Sequence, residues 1–66
     1  MDGMKIGERL RALRGDQPRE AVALAIGVTA QAVANYETGA RIPTDEIKLR
    51  LAEFFDKTVQ EIFYDD

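Results

Sequence analysis

The 66-residue sequence contains no cysteine and no histidine. The first absence rules out a disulfide framework and thiol chemistry and suits a reducing cytoplasm. Together the two absences remove the usual zinc ligands and the commonest partners in acid–base and nucleophilic catalysis. No glycine-rich phosphate loop is present either, and no pair of carboxylates is placed in an evident pocket, so no enzymatic activity, cofactor or small-molecule site is expected. Long apolar runs are also missing. The longest, Ala21 to Val28, is far short of the ~20 residues a membrane span needs. Asp2 and Gly3 stand where a secretion signal would begin with basic residues and an apolar core, so no membrane partner is expected. There is no internal repeat, low-complexity segment or linker. A chain of this length buries only about 60% of its unfolded surface, which predicts one marginal domain over residues 1–66.

What is present is an excess of acid. Nine Lys and Arg face twelve Asp and Glu, for a net charge of −3, and that sign is unhelpful for a nucleic-acid binder. The excess is unevenly placed. Six basic residues balance five acidic ones through Arg41, whereas three face seven from Ile42 onward. An acidic C-terminal part that faced away from a duplex would leave a local patch free to neutralise phosphates.

The segment from Pro18 to Pro43 reads as two short helices joined by a tight turn. Ala21, Val22, Ala23, Ala25 and Ile26 give the first helix mostly small side chains, so a second can cross it closely. Gly27 ends it, because glycine takes the left-handed conformation without a steric penalty, and Thr29 is placed to cap a new helix. Val28 is the expected buried pivot. From Ala30 to Glu37 the apolar positions Val33 and Tyr36 dock, while Gln31, Ala34 and Asn35 point elsewhere. This pattern is that of a helix-turn-helix.

Ala23, Gly27-Val28-Thr29, Val33, Tyr36-Glu37, Gly39, Arg41 and Pro43 resemble the helix-turn-helix family of phage repressors, Cro proteins and their bacterial relatives, the xenobiotic-response-element type. The likeness extends upstream through Ile6-Gly7-Glu8-Arg9-Leu10-Arg11-Ala12-Leu13-Arg14. Downstream it continues through Leu51-Ala52-Glu53-Phe54-Phe55 and Thr58-Val59-Gln60-Glu61-Ile62-Phe63. Two departures stand out. Pro18 and Arg19 occupy the place where the family usually has serine or threonine followed by glutamine, and the preceding turn, Gly15-Asp16-Gln17, is about two residues short. The resemblance implies an all-α, compact five-helix, lambda-repressor-like domain whose second and third helices form the helix-turn-helix. It also implies a charged pair between Arg14 and Glu37 that fixes the reading helix to the scaffold.

Local signals place the remaining helices. The first is expected from about Lys5 to Arg14, with Ile6, Leu10 and Leu13 on its buried stripe and Gly15 ending it. The second begins near Pro18, with Asp16 or Gln17 as its cap. The fourth is signed by Pro43-Thr44-Asp45-Glu46 and lasts to about Phe55, and Thr58-Val59-Gln60-Glu61 opens the fifth with a capping box. On the fourth helix, Leu49, Ala52 and Phe55 make one apolar stripe, and Ile47, Leu51 and Phe54 a second. With Ile62, Phe63 and Tyr64 beyond, this is more apolar surface than so small a core is expected to hide.

The functional expectation is a non-enzymatic, cytoplasmic regulator, of bacterial or phage type, that binds double-stranded DNA at a pseudo-palindromic operator as a homodimer and represses transcription. Ala30, Gln31, Ala34 and Asn35 are the candidate base readers, since glutamine and asparagine can both bond adenine N6 and N7, and alanine can meet a thymine methyl. Arg19, Thr29, Thr38, Arg41 and Thr44 are the candidate phosphate contacts. Leu51, Phe54, Ile62, Phe63 and Tyr64 are the candidate dimer interface. The alternative is an antitoxin-like, protein-binding helix-turn-helix module whose acidic C-terminal part meets a basic partner.

Overall fold

The computed structural model describes residues 2–64. Five helices follow one another: α1 Gly3–Arg14, α2 Arg19–Ile26, α3 Ala30–Thr38, α4 Asp45–Phe55 and α5, a single turn of π-type, Gln60–Tyr64. No strand occurs among the described residues.

Side-chain bonds to backbone two or three residues away set most helix starts. Asp2 starts α1 earlier than the apolar stripe alone predicts, its carboxylate accepting from the Met4 N–H at 2.9 Å. Thr29 accepts from Ala32 N–H at 3.0 Å to open α3, and Thr44 from Ile47 N–H to open α4. The Thr58–Glu61 capping box is closed in both directions: Thr58 N–H donates to the glutamate at 2.9 Å, and Glu61 N–H to the threonine hydroxyl at 3.0 Å. The exception is α2. Neither Asp16 nor Gln17 caps it; Pro18 occupies the cap position in extended backbone with no side-chain bond. The ring, which fixes φ near −65°, takes the place that a capping side chain would need.

Ile6 and Leu10 of α1, Val22, Ala23 and Ile26 of α2, Val33 and Tyr36 of α3, Leu51 and Ala52 of α4, and Ile62 and Phe63 of α5 form one core. Leu13 and Val28 lie half-buried at its edge. The placement of α2 and α3 is fixed by one turn and one close approach. Gly27 turns the chain at φ 77°, so α3 leaves α2 sharply. Gly7 lets α1 lie directly on the end of α3, where a β-carbon would sit 2.1 Å from the Glu37 carbonyl oxygen.

The surplus of apolar surface expected in the C-terminal third is mostly absorbed. Leu51 and Ala52 are neighbours in sequence and together form the centre of the buried side of α4, with Ile47, Phe54 and Phe55 half-buried beside them. The turn after Asp56 folds α5 back onto α1, where Arg9 donates to the Ile62 carbonyl at 2.9 Å. Ile62 and Phe63 are thereby only 1% exposed. Lys48 shares the buried side of α4 at 5% exposure. Its ammonium stays polar-partnered by donating to the Tyr64 hydroxyl at 3.0 Å, and it lies 5.1 Å from the centre of that ring.

Candidate nucleic-acid interface

Val33 and Tyr36 commit one side of α3 to the core, which turns Ala30, Gln31, Ala34 and Asn35 to the other. Gln31 is exposed, and its Nε2 donates to Asn35 Oδ1 at 3.1 Å, one helical turn away. Nine residues make a helix about 13 Å long, and a major groove is about 12 Å wide. The two alanines keep the outward face low, so the helix backbone can approach a surface closely.

Beside this face, the start of α2 and the start of α3 enclose a shallow concavity of about 340 Å³ lined by Arg14, Arg19, Glu20, Ala30, Gln31 and Ala34. The structure therefore brings Arg19 together with three of the four candidate readers. It also adds Arg14, whose side chain is 10% exposed and which the sequence marked only as a scaffold residue. The other phosphate candidates are spread along the helix. Thr29 lies at the N-terminal end of α3 and Thr38 is its last residue, whereas Arg41 and Thr44 follow it. All three threonine hydroxyls already serve the backbone, Thr29 and Thr44 as caps and Thr38 by donating to the Asn35 carbonyl. That same carbonyl accepts the Arg41 N–H at 3.2 Å, which ties the Arg41 backbone to the end of α3.

Glu37 is the electrostatic centre below the concavity. Its side chain is 3% exposed and accepts from two arginines, Arg14 Nε at 2.6 Å and Arg19 Nε at 3.0 Å. Burial alone would push the Glu37 carboxyl up, but the hydrogen bonds and positive charges of Arg14 and Arg19 outweigh it and hold the group below the ordinary glutamate value. Arg14 in turn is held more firmly protonated by its bond to Glu37. Arg14 and Arg19 thus face two carboxylates, buried Glu37 and Glu20 on the rim, so the charges around the concavity balance.

The candidate dimer surface is revised by burial. Leu51, Ile62 and Phe63 are interior residues of the protomer at 2%, 1% and 1% exposure, so they cannot meet a partner without unfolding it. The cause is the return of α5 over α1, a contact between residues more than fifty apart in sequence. Half-buried Phe54 and Tyr64, at 46% exposure, keep accessible surface. More fully exposed apolar side chains lie elsewhere, notably Leu24 on α2 and Leu49 on α4.

Two roles had no signal in the sequence. Arg50 bridges α4 to α2 by donating to the Ile26 carbonyl at 3.1 Å, and Lys48 is buried as described. Both were merely charges on a helix until the packing was known. No helix among the described residues is long and apolar enough to cross a membrane.

Comparison with known proteins agrees with this geometry. The P22 c2 repressor, solved in complex with synthetic operator 9T, superposes with a TM-score of 0.88 at 25% identity, covering 92% of this chain and 96% of the repressor chain. The restriction-modification controller protein C.AhdI from Aeromonas hydrophila gives a TM-score of 0.85 at 33% identity, covering 94% and 97% of the two chains. The SOS-response transcriptional repressor LexA from Eubacterium rectale shares the fold at 21% identity and a TM-score of 0.89, covering 98% and 71%. No match among curated protein sequences accompanies these structural likenesses. A helix-turn-helix family model covers residues 8–62, from the middle of α1 into α5. The chain belongs to the Cro/C1-type helix-turn-helix family.

Proposed function

We propose that this protein is a sequence-specific, double-stranded DNA-binding transcriptional regulator, a repressor that acts as a homodimer on a pseudo-palindromic operator. The observation that carries the reading is the outward face of α3, where amide side chains and alanines stand opposite a fully docked Val33 and Tyr36 and beside Arg14 and Arg19. Gln31 is the main base reader, with Ala30 and Ala34 beside it and Asn35 one turn further along the same face. Arg19 meets a phosphate, and Thr29, Thr38, Arg41 and Thr44 follow the backbone on either side. The P22 c2 repressor was solved on an operator, and its likeness to this chain extends over nearly the whole of both.

The acidic excess from Ile42 onward fits this reading if it lies away from the duplex. Two protomers related by a two-fold axis would place their reading helices about 34 Å apart, one turn of B-DNA, as repressors of this kind do. Selection of bound duplexes from a random pool tests the reading. The expected product is an inverted repeat with half-site centres one turn apart, and Gln31→Ala should lose ~1–3 kcal/mol on it while relaxing preference at one base pair per half-site. Equal losses on selected and random DNA would remove Gln31 as a reader. Recovery of no preferred sequence would favour the protein-binding alternative.

A further inference from the structure

Asn35 accepts from Gln31 across one turn of α3, at 3.1 Å, on the face that carries no core contact. Resting on the DNA reading above, we propose that Asn35 is a positioning residue for Gln31: it holds one N–H of the glutamine amide and thereby restricts the base edge that Gln31 can accept to adenine, without reading a base of its own.

The argument is one of donor counting. A primary amide has two N–H donors and a carbonyl acceptor. Adenine presents N7 as acceptor and N6 as donor in the major groove, whereas guanine presents two acceptors, N7 and O6. A free glutamine amide can satisfy either base, offering its oxygen and one N–H to adenine or turning both N–H groups toward guanine. The bond to Asn35 Oδ1 occupies one of those N–H groups. What remains is one N–H beside one oxygen, which is the complement of adenine and leaves guanine O6 facing an oxygen.

Asn35 is itself well anchored for this task. Its backbone carbonyl accepts from Arg41 N–H at 3.2 Å and from the Thr38 hydroxyl at 3.3 Å, so the last turn of α3 is fixed from both the loop and the helix. The spacing of four residues places the two side chains over one another on the helix surface. Neither alanine neighbour, Ala30 or Ala34, offers a competing partner for the amide.

The test uses the full chain and duplexes that differ only at the base pair whose preference Gln31→Ala relaxes. The unmodified protein should prefer adenine to guanine there by about tenfold or more. Asn35→Ala should bring that ratio to within about threefold, chiefly by improved relative binding to guanine. Asn35→Asp retains the acceptor and should keep the ratio, while its charge weakens binding to every duplex. A helix-stabilising pair with no part in recognition would lower affinity for both duplexes alike and leave the ratio unmoved; that outcome overturns the proposal. It is equally overturned if Asn35→Ala relaxes a different base pair from Gln31→Ala, since Asn35 would then read for itself. In the free protein, nitrogen-15 relaxation of the Gln31 side-chain amide should show greater mobility in Asn35→Ala than in the unmodified chain or Asn35→Asp. Equal mobility in all three overturns the tether whatever the DNA results. If the intact protein selects no sequence, the regulatory reading itself falls and takes the inference with it, a failure distinct from an unchanged ratio.

Discussion

Arg14 grips Glu37 at two points, Nε to Oε2 at 2.6 Å and Nη2 to Oε1 at 3.2 Å, and so bolts the end of α3 to the end of α1. The fork geometry matches the planar guanidinium to the carboxylate, and Arg19 then approaches Oε1 from the start of α2 at 3.0 Å. One side chain thus sets the relative placement of three helices that border the candidate reading surface.

That arrangement predicts an acid-sensitive fold. Glu37 is held below the ordinary glutamate value of 4.5 when folded. A carboxyl with a depressed folded pKa binds more protons in the unfolded chain, so its contribution is complete above the unfolded pKa and is lost as pH falls toward the folded one. Denaturant midpoints should therefore decline from about pH 5 downward. Glu37→Gln should be less stable at neutral pH and show a shallower acid limb. Glu61, lowered chiefly by hydrogen bonds from Thr58, acts in the same direction but is exposed, so Glu61→Gln should change the limb less. Parallel acid limbs for the unmodified protein and Glu37→Gln would show that this carboxylate does not govern the transition.

Gly7 predicts a second vulnerability. Alanine is ordinarily the better helix residue by about 1 kcal/mol. Here its β-carbon would lie 2.1 Å from the Glu37 carbonyl oxygen and 2.9 Å from that of Tyr36, both backbone atoms that can yield only if α1 moves off α3. Gly7→Ala should cost a net ~1–3 kcal/mol, lowering the melting midpoint by about 4–8 °C per kcal/mol. Thermal unfolding followed by circular dichroism measures this. A variant as stable as the parent would mean that the helices are not in this close contact in solution.

Legibility in the sequence divides along the distance of the interactions. Thr29, Thr44 and the Thr58–Glu61 box were readable because each acts on backbone three residues away. Val33 and Tyr36 marked the docked side of α3, and so its outward side, by spacing alone. The early start of α1 was missed because Asp2 precedes any apolar stripe, and the cap of α2 because a proline offers no donor or acceptor to recognise. Leu51, Ile62 and Phe63 were misread as surface because only the fold-back of α5 onto Arg9 and the core shows where they go. The second arginine on Glu37 was invisible because the resemblance implies only the Arg14 pair and no local spacing links Arg19 to Glu37.

Arg19 tests the phosphate assignment. Its contact with Glu37 engages Nε, and its side chain is 42% exposed along the rim of the concavity. The group is thus oriented through one nitrogen while much of its side chain stays accessible, an arrangement suited to one phosphate. Arg19→Ala should weaken binding to selected and random duplexes alike and reduce the slope of log K against log salt by about 0.9 per phosphate contact removed, or about twice that in a dimer. An unchanged slope would leave Arg19 as a structural partner of Glu37 only.

Dimerisation should run through the part of the C-terminal third that stays accessible, Phe54 and Tyr64, rather than through the whole apolar set. Truncation after Lys57 or Phe63→Lys would not test this, because Ile62 and Phe63 fill the protomer core and both changes should unfold it. Phe54→Lys and Tyr64→Gln are the informative variants. Phe54 is only half-buried and packs edge-on against Phe55 with ring centres 5.0 Å apart, and Tyr64→Gln removes the exposed ring while keeping an oxygen acceptor, not a second cation, beside the buried Lys48 ammonium. Sedimentation should show a weakened dimer for either substitution in a protein that remains helical. Operator affinity should then fall by ~10²–10⁴, the effective-concentration advantage that two linked half-site contacts have over one. Folded variants with an unaltered dimer constant would move the interface elsewhere, and exposed Leu49 on α4 and Leu24 on α2 would be the next positions to substitute.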